Sequence, residues 1–339
     1  MALPTTARVV RLAARPNGLP APEDFTIAEE PLPGPGPGEV LVRNRPFLVF
    51  PGLRTLIGGG GAGLPLPRIA PGDALFGPAL GEVLAAPDGG PLRPGDLVTH
   101  LAGWRDQLVG EAARFTPVPA DFPDPMALLS IASAGYGGLT RTAGLRPGDV
   151  VLVTGAAGAV GSMTGQIARL LGAARVIGTT RSPAKAKRLT TELGYDAVLV
   201  PGERPFAEQL AEAAPEGVDL VLDLVGGEQL TAAVDAARRG ARIAVVGALA
   251  GQLDPETPGG DAPAVIDSFR VCTLGLTLRG FTGADHPDLD AEWRERLAGW
   301  LRAGNLSFPW TSVRGIDRAP HALGRLFTGD TVGAIIVEL

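Results

Sequence analysis

Over the first 118 or so residues, short apolar runs are each closed off by glycine or proline. Glu39-Val-Leu-Val-Arg43 follows the stretch PGPGPG, Gly81-Glu-Val-Leu-Ala85 comes next, and Asp96-Leu-Val-Thr-His100 follows Pro94-Gly95. Strands of this length at this spacing predict a small β-rich, partly barrel-like domain. From about Pro119 the pattern changes to alternating strands and helices. Asp149-Val-Val-Leu-Val153 reads as a buried strand, followed by a glycine-rich turn and a helix whose Val160, Met163, Ile167 and Leu171 share one face. Further strands are predicted at residues 175–178, 197–200, 218–222 and 242–246, with helical segments between most of them. That alternation implies an α/β class with a parallel, doubly wound sheet. Towards the end come helices at 288–301 and 319–327, separated by a turn at Gly304-Asn305, and a strand at 334–339 that is expected to return to the N-terminal β domain.

The 339 residues with 45% hydrophobic content suffice for two cores. The 48 Gly and 32 Pro are scattered through apolar segments, which argues against a collagen-like or disordered chain. A net charge of −6 offers no footprint for nucleic acid or for an anionic membrane. No apolar run is long enough to cross a bilayer, and the arginine-bearing N-terminus lacks the apolar core of a secretory signal. The expected compartment is the cytosol. A lone cysteine, Cys272, excludes an intramolecular disulfide framework. With only His100, His286 and His321 beside it, a zinc site of three or four clustered ligands is not expected.

The chemistry-bearing segment is Thr154-Gly-Ala-Ala-Gly-Ala-Val-Gly-Ser162, between the buried strand and the amphipathic helix. Gly158 lets the backbone approach a pyrophosphate, and Gly161 lets the helix pack on the sheet. The helix N-terminus then offers free N–H groups to the anion. Ala156 stands where the first glycine of G-x-G-x-x-G would be, and the bland alternative is a tight turn without a ligand. Past the second strand the chain reads Gly178-Thr-Thr-Arg-Ser-Pro-Ala-Lys-Ala-Lys187, with no acid until Glu192. An acid there would bind a ribose 2′-hydroxyl and repel a 2′-phosphate. Arg181, Ser182 and Lys185 favour the phosphate, hence NADPH. The only two lysines of the chain, Lys185 and Lys187, lie here; a solvated basic helix start is the alternative.

Taken together, Arg15-Pro-Asn-Gly-Leu-Pro-Ala-Pro-Glu-Asp-Phe25, Pro35-Gly-Pro-Gly-Glu-Val-Leu-Val-Arg-Asn44, Gly103-Trp104, Ala156-Ala-Gly-Ala-Val-Gly-Ser162, Asp223-Leu-Val-Gly-Gly227 and Leu278-Arg-Gly-Phe281 carry a resemblance along nearly the whole chain. The chain resembles the zinc-independent medium-chain dehydrogenase/reductases, in the leukotriene B4 12-hydroxydehydrogenase/prostaglandin reductase group that includes bacterial curcumin-reductase-like enzymes. The resemblance implies a GroES-like domain over 1–118 completed by 305–339, a Rossmann NADP-binding domain over 119–304, and a homodimer. It implies NADPH contacts at Ala157, Gly158, Ala159, Val160, Gly161, Arg181, Ser182, Lys185, Val225, Gly247, Ala248 and Phe281. The implied reaction reduces an α,β-unsaturated carbonyl, with hydride delivered to the β-carbon and the enolate protonated at the α-carbon.

Departures from that group's pattern cluster in the expected substrate pocket, at Phe47, Phe50 and Gly52: Phe50 replaces an acid and Gly52 an aromatic. Gln252 stands where a tyrosine is usual, and Thr331 and Ala334 replace an asparagine and a lysine around Gly333. The loop Ile57-Gly-Gly-Gly-Gly-Ala-Gly63 is unusually glycine-rich. These changes predict a wider, more apolar pocket. Tyr136 and Gln252 are the candidates for contact with substrate or cofactor, although Gln252 cannot act as an acid and Tyr136 can equally be a packing residue. Tyr195 and the three histidines read as structural or surface groups, which leaves solvent or the cofactor ribose to supply the α-proton. Trp104, Trp293, Trp300 and Trp310 are the expected large anchors. The reading is an NADPH-dependent enone or enoyl reductase, including a tailoring enzyme for a bulky polyketide-like intermediate. The alternatives are a quinone reductase and a non-catalytic NADPH-binding protein.

Overall fold

The structure, a computed structural model, describes residues 3–60, 66–202 and 204–339. The chain divides into two compact units. One holds residues 1–130, 310–330 and 334–339; the other holds 131–309 and 331–333. The boundaries therefore fall later than the expected 118/119 and 304/305. The helical turn at Pro125–Leu129 stays with the first unit, and residues 305–309 stay with the second. Part of the glycine-rich loop at 57–63 lies outside the described residues.

In the first unit, β1 (Thr6–Leu12) and β2 (Phe25–Pro31) form an antiparallel pair. The larger sheet grows around β3 (Glu39–Val49), an eleven-residue strand that continues well past the predicted Arg43. It pairs with β4 (Ala79–Ala85), which pairs in turn with β5 (Leu97–His100). It also pairs with β6 (Gln107–Glu111), and the short β7 (Thr116–Pro117) lies against β5. The register of β3 shifts between Asn44 and Phe47, where Pro46 cannot donate to a ladder. Val40, Val42, Val83, Val98, Leu108 and Phe115 make a buried cluster there.

The second unit is a six-stranded parallel sheet of β8 (Val150–Val153), β9 (Arg175–Thr179), β10 (Ala197–Leu199), β11 (Val218–Asp223), β12 (Ala237–Val245) and β13 (Thr277–Gly280). Their order across the sheet, β10-β9-β8-β11-β12-β13, is that of a dinucleotide-binding fold, with the direction of winding reversing between β8 and β11. Its core is aliphatic, with Leu152, Ile177, Leu210, Val221 and Ile243 all buried. Two strands late in the chain, β14 (Trp310–Arg314) and β15 (Ala334–Glu338), complete the sheet of the first unit. There β15 lies antiparallel to β3 and parallel to β14. Trp310 is 37% exposed on that edge strand, so it is not the anchor expected, whereas Trp104 and Trp293 are buried.

At the N-terminal edge of the parallel sheet, Arg242 pairs with Asp149 at 2.8 Å, and both side chains are largely buried. Arg242 also donates to the Gly144 and Asp219 carbonyls. The two terminal nitrogens of Arg242 are thus hydrogen-bonded, which offsets much of the cost of keeping the pair out of water, while the buried Nε has no acceptor among the described residues. Tyr195 is wedged into the other face of the sheet. A Cβ on Gly165 or Gly178 would lie 2.4 or 2.8 Å from its ring, and its hydroxyl donates to the Gly161 carbonyl at 2.6 Å. Burial pushes that hydroxyl far above the usual phenol range, so it stays a neutral donor.

His100 is a core histidine of the first unit. Its Nδ1 accepts from the Ala102 amide at 3.0 Å, so the Nε2–H faces Asn44 Oδ1 at 2.9 Å. Asn44 in turn donates to the carbonyls of Ala102 and Arg105. Burial, with Arg105 and Arg114 nearby, depresses its pKa to about 4. The neutral ring therefore supports folding fully above the unfolded value near 6.5, and that support is lost as pH falls towards 4. Urea titrations of wild type and His100→Gln should diverge in this window. The wild type is expected to lose about 3 kcal/mol more than the non-titrating variant between neutrality and pH 4.

Candidate active site

The nucleotide turn begins where β8 ends. Thr154 is fully buried, and its hydroxyl donates to Asp223 Oδ1 at 2.7 Å while accepting from the Leu224 amide at 2.8 Å. Asp223, also fully buried, accepts from the Val225 and Gly226 amides as well. Burial raises the pKa of this carboxyl against the opposing pull of those three donors. The ends of β8 and β11 are thereby fixed to each other at the point where the sheet changes direction, where ligands bind in folds of this kind.

Gly155 then turns the chain at φ +62, a left-handed conformation that favours glycine. Its amide donates to Thr179 Oγ1 at 2.9 Å, and the Ala156 amide donates to the Thr179 carbonyl at 2.8 Å. This supplies what the missing glycine at 156 would have done: the tight turn has moved one residue earlier, a shift that the spacing alone did not reveal. Ala156 itself is buried against β9, its Cβ close to Gly178.

Gly158 is exposed, and a Cβ there would meet only the Gly155 carbonyl at 3.5 Å, so this face of the turn is open. A Cβ on Gly161 would lie 2.5 Å from the Gly155 carbonyl, so only glycine allows the helix Gly161–Leu170 this close to the turn. The amides of Ala159 and Val160 have no acceptor among the described residues, although Gly158 and Ser162 on either side are paired. Unpaired N–H groups beside an open glycine at a helix start suit a pyrophosphate.

Other expected contacts converge on the same edge of the sheet. A Cβ on Gly155 would meet Val225 Cγ2 at 3.2 Å. The loop after β12 is laced to the loop after β11, with Leu249 donating to the Leu224 carbonyl and Ala250 to the Val225 carbonyl. Gly247 donates to the Asp223 carbonyl, and a side chain there would strike the Leu224 carbonyl at 2.8 Å. Ala248 and Gln252 are half-buried; Ala248 caps the helix Leu249–Leu253, which carries Gln252. Arg181, Ser182 and Lys185 follow β9, with Ser182 at the N-cap of the helix Pro183–Glu192; Arg181 is exposed and the other two half-exposed. Phe281 follows β13, its amide bonded to the Val245 carbonyl and its ring packed against Gly137. His286, expected at the surface, instead stacks on Phe281 with ring centres 5.8 Å apart.

The short segment Thr331–Gly333 also belongs to this unit. Gly333, at φ +83, donates to the Ala157 carbonyl at 2.9 Å and bridges to Gly158. A Cβ at 333 would overlap the Pro309 carbonyl. The sequence marks the residues around Gly333 as unusual but does not show that they brace the nucleotide turn.

Tyr136 lies on the helix Ser133–Gly137, whose Gly135 seats on Thr164 and Val160 of the nucleotide helix. Its own ring turns towards the helix Leu289–Arg302, 5.6 Å from Trp293 and 6.0 Å from Trp300, and is 2% exposed. The hydroxyl donates to Glu292, which also pairs with Arg141. Burial first, and then Glu292, raise the pKa of Tyr136, while the bond from Tyr136 heads the causes that lower that of Glu292. The hydroxyl is therefore committed to a carboxylate inside an aromatic cluster.

The residues expected to line the substrate pocket lie in the first unit. Phe47 is fully buried and 5.3 Å from the Trp104 ring, so it is a core residue rather than a pocket wall. Phe50 is half-buried, its ring between Gly52 and Gly77, where added Cβ atoms would come within 3.0 and 3.4 Å of it. The aromatic surface absent at 52 is thus supplied from 50. Trp104 has φ 63, the only non-glycine positive value among the described residues, and its buried indole N–H has no acceptor among them. Strain and an unpaired donor together mark this as a costly arrangement.

Among the described residues no three His, Cys, Asp or Glu side chains gather as a metal site. No helix among them is long and apolar enough to cross a membrane. Residues 159–301 match the zinc-binding dehydrogenase family, and residues 8–118 match an N-terminal domain of oxidoreductases. A Bacillus subtilis protein named as an NADP-dependent oxidoreductase is 34% identical over 337 residues, covering 97% of each chain. The NADPH-dependent curcumin reductase of Escherichia coli is 28% identical, covering 97% of this chain and 95% of its own. The solved structure of CurA from Vibrio vulnificus in complex with NADPH has a TM-score of 0.87 at 26% identity, over 98% of both chains. The chain belongs to the zinc-independent medium-chain dehydrogenase/reductases, in the group of the curcumin and prostaglandin reductases, and is an NADPH-dependent oxidoreductase.

Proposed function

We propose that the chain reduces the C=C bond of an α,β-unsaturated carbonyl compound, including bulky polyketide-like enones or enoyl intermediates. The observation that carries the reading is the open turn at Gly158, with its unpaired Ala159 and Val160 amides, followed past β9 by a segment of cations without acids. NADPH bound there supplies the hydride that the β-carbon of the acceptor receives. The chain's own residues hold the pyrophosphate on the turn and set the 2′-phosphate against Arg181, Ser182 and Lys185. Val225, Gly247, Ala248 and Phe281 frame the rest of the nucleotide, with Gln252 beside them.

The α-proton comes from solvent in this reading. Tyr136 already gives its hydroxyl proton to the bond with Glu292, and Gln252 is an amide without an acidic proton at neutral pH. Phe50 over Gly52 supplies one apolar wall suited to an aromatic acceptor. A lone exposed Cys272 fits the reducing cytosol in which NADPH is abundant. We also propose a homodimer, supported by an open sheet edge: β13 is exposed along its length, Leu278 is 42% exposed and Phe269, on the preceding helix, 75%. Light scattering across a dilution series should show twice the chain mass; a monomer throughout would remove this assembly.

Absorbance decay of NADPH should be fast with one class of enone and slow with NADH. Faster turnover of simple quinones than of any enone would make the enzyme a quinone reductase. No turnover with any acceptor, despite tight NADPH binding, would favour a binding protein. Lys185→Ala should raise the KM for NADPH about tenfold and leave that for NADH unchanged, as expected for one charge-assisted bond to the 2′-phosphate. An unchanged NADPH KM would remove Lys185 from the site. Tyr136→Phe should keep turnover within about twofold and cost about 1 kcal/mol in stability. A hundredfold loss of turnover with intact NADPH binding would make Tyr136 a catalytic residue instead.

A further inference from the structure

In the first unit, Arg314, Arg318 and Arg325 line one cavity of about 380 Å³ together with Ser312 and Val313. Three successive pieces of chain bring them there. On β14, Ser312 and Arg314 are two residues apart and so share a face. Gly315, at φ +84, reverses the chain and is held by its amide bond to the Glu338 carbonyl. Arg318 then caps the helix Ala319–Thr328, and Arg325 follows seven residues later, on the same helical face.

The neighbouring carboxylates are already engaged. Asp317 pairs with Arg8, Glu338 accepts from the Ser312 hydroxyl, and Asp330 takes two bonds from Arg325 at 3.1 and 3.2 Å. That leaves Arg314 and Arg318 without a carboxylate at ion-pair distance among the described residues. Elsewhere the chain pairs arginines repeatedly with its own acids, as at Arg11, Arg43, Arg169, Arg204 and Arg238. Two unpaired guanidinium groups converging on a cavity, in a chain whose net charge is −6, call for an anion from outside.

We propose that this cavity binds the diphosphate group of a small phosphorylated molecule, as a site separate from the nucleotide turn. Two planar forks match two phosphate groups bidentately, which a single phosphate cannot exploit as fully. The volume lies at the lower end of small-molecule sites, leaving room for a modest organic portion beyond the diphosphate. Arg325 is the third cation, held partly in check by Asp330.

The test is calorimetric titration of pyrophosphate at low ionic strength into full-length enzyme saturated with NADPH, so that the nucleotide turn is already filled. Saturable binding is expected that weakens with added salt and is tighter than that of inorganic phosphate. Arg314→Gln and Arg318→Gln should each weaken it about tenfold, and the double variant should abolish it with NADPH oxidation unchanged. Asp330→Asn should tighten it several-fold by releasing Arg325. Absence of saturable binding at millimolar pyrophosphate overturns the proposal, as does binding unaffected by the double substitution. Equal affinity for phosphate and pyrophosphate overturns the diphosphate assignment. Should the double variant lose NADPH oxidation through misfolding, Asp330→Asn decides alone, and a failure to tighten overturns the site.

Discussion

How near a helix start can come to a strand end governs the nucleotide-binding half of this protein. At Gly161 the distance is set by the Gly155 carbonyl, which a single methyl group would strike. With the helix that close, the unpaired amides of Ala159 and Val160 lie immediately before it, next to the open Gly158. The Thr154–Asp223 bond holds the floor beneath them, and Tyr195 holds the helix from behind through the Gly161 carbonyl. Each of these contacts is buried, so water does not compete for it.

Closeness is distributed along the sheet in the same way. Gly165 and Gly178 make the slot for Tyr195, Gly135 admits Thr164, and Gly137 admits Phe281. Small residues at these crossings bring backbone against ring or helix, and the larger side chains fill what remains. The aromatic cluster of Tyr136, Trp293 and Trp300 is the complementary case. There the bulk is on the helices, and the one polar atom at its centre is satisfied by a carboxylate that an arginine shares.

Much of this architecture can be read from the chain itself. The parallel strands are apolar runs bounded by turn residues, and the nucleotide helix announces itself by Met163 and Ile167 recurring at helical spacing; both are fully buried. Strands with polar faces were harder to see. β2, β13 and β14 carry alternating or fully exposed positions and exist because a neighbour supplies their hydrogen bonds. At the candidate site, the glycines and the cations after β9 could be placed by spacing. Three features could not: the relocation of the turn to Gly155, the brace from Gly333 and the capture of Tyr136 by Glu292. All depend on partners distant in sequence, or on a dihedral angle that spacing does not encode. Phe47 failed as a pocket residue for a related reason, since a phenylalanine on a strand covered on both faces faces the core whichever way it alternates.

The seating of β15 between β14 and β3 has a consequence for how the molecule is made. During synthesis β3, the central strand of the first unit, emerges early and pairs with β4 and, over Glu39–Arg43, with β6, but its last part, Pro46–Val49, lacks a partner on one side until β15 has been made. The parallel sheet of β8 to β13 is finished well before that, from consecutive segments. The inserted parallel sheet can therefore close while the first unit still waits for β15 to cover the apolar stretch Pro46–Val49 of β3. During that interval four residues of β3, and not a whole strand edge, are left as a template for pairing with another chain.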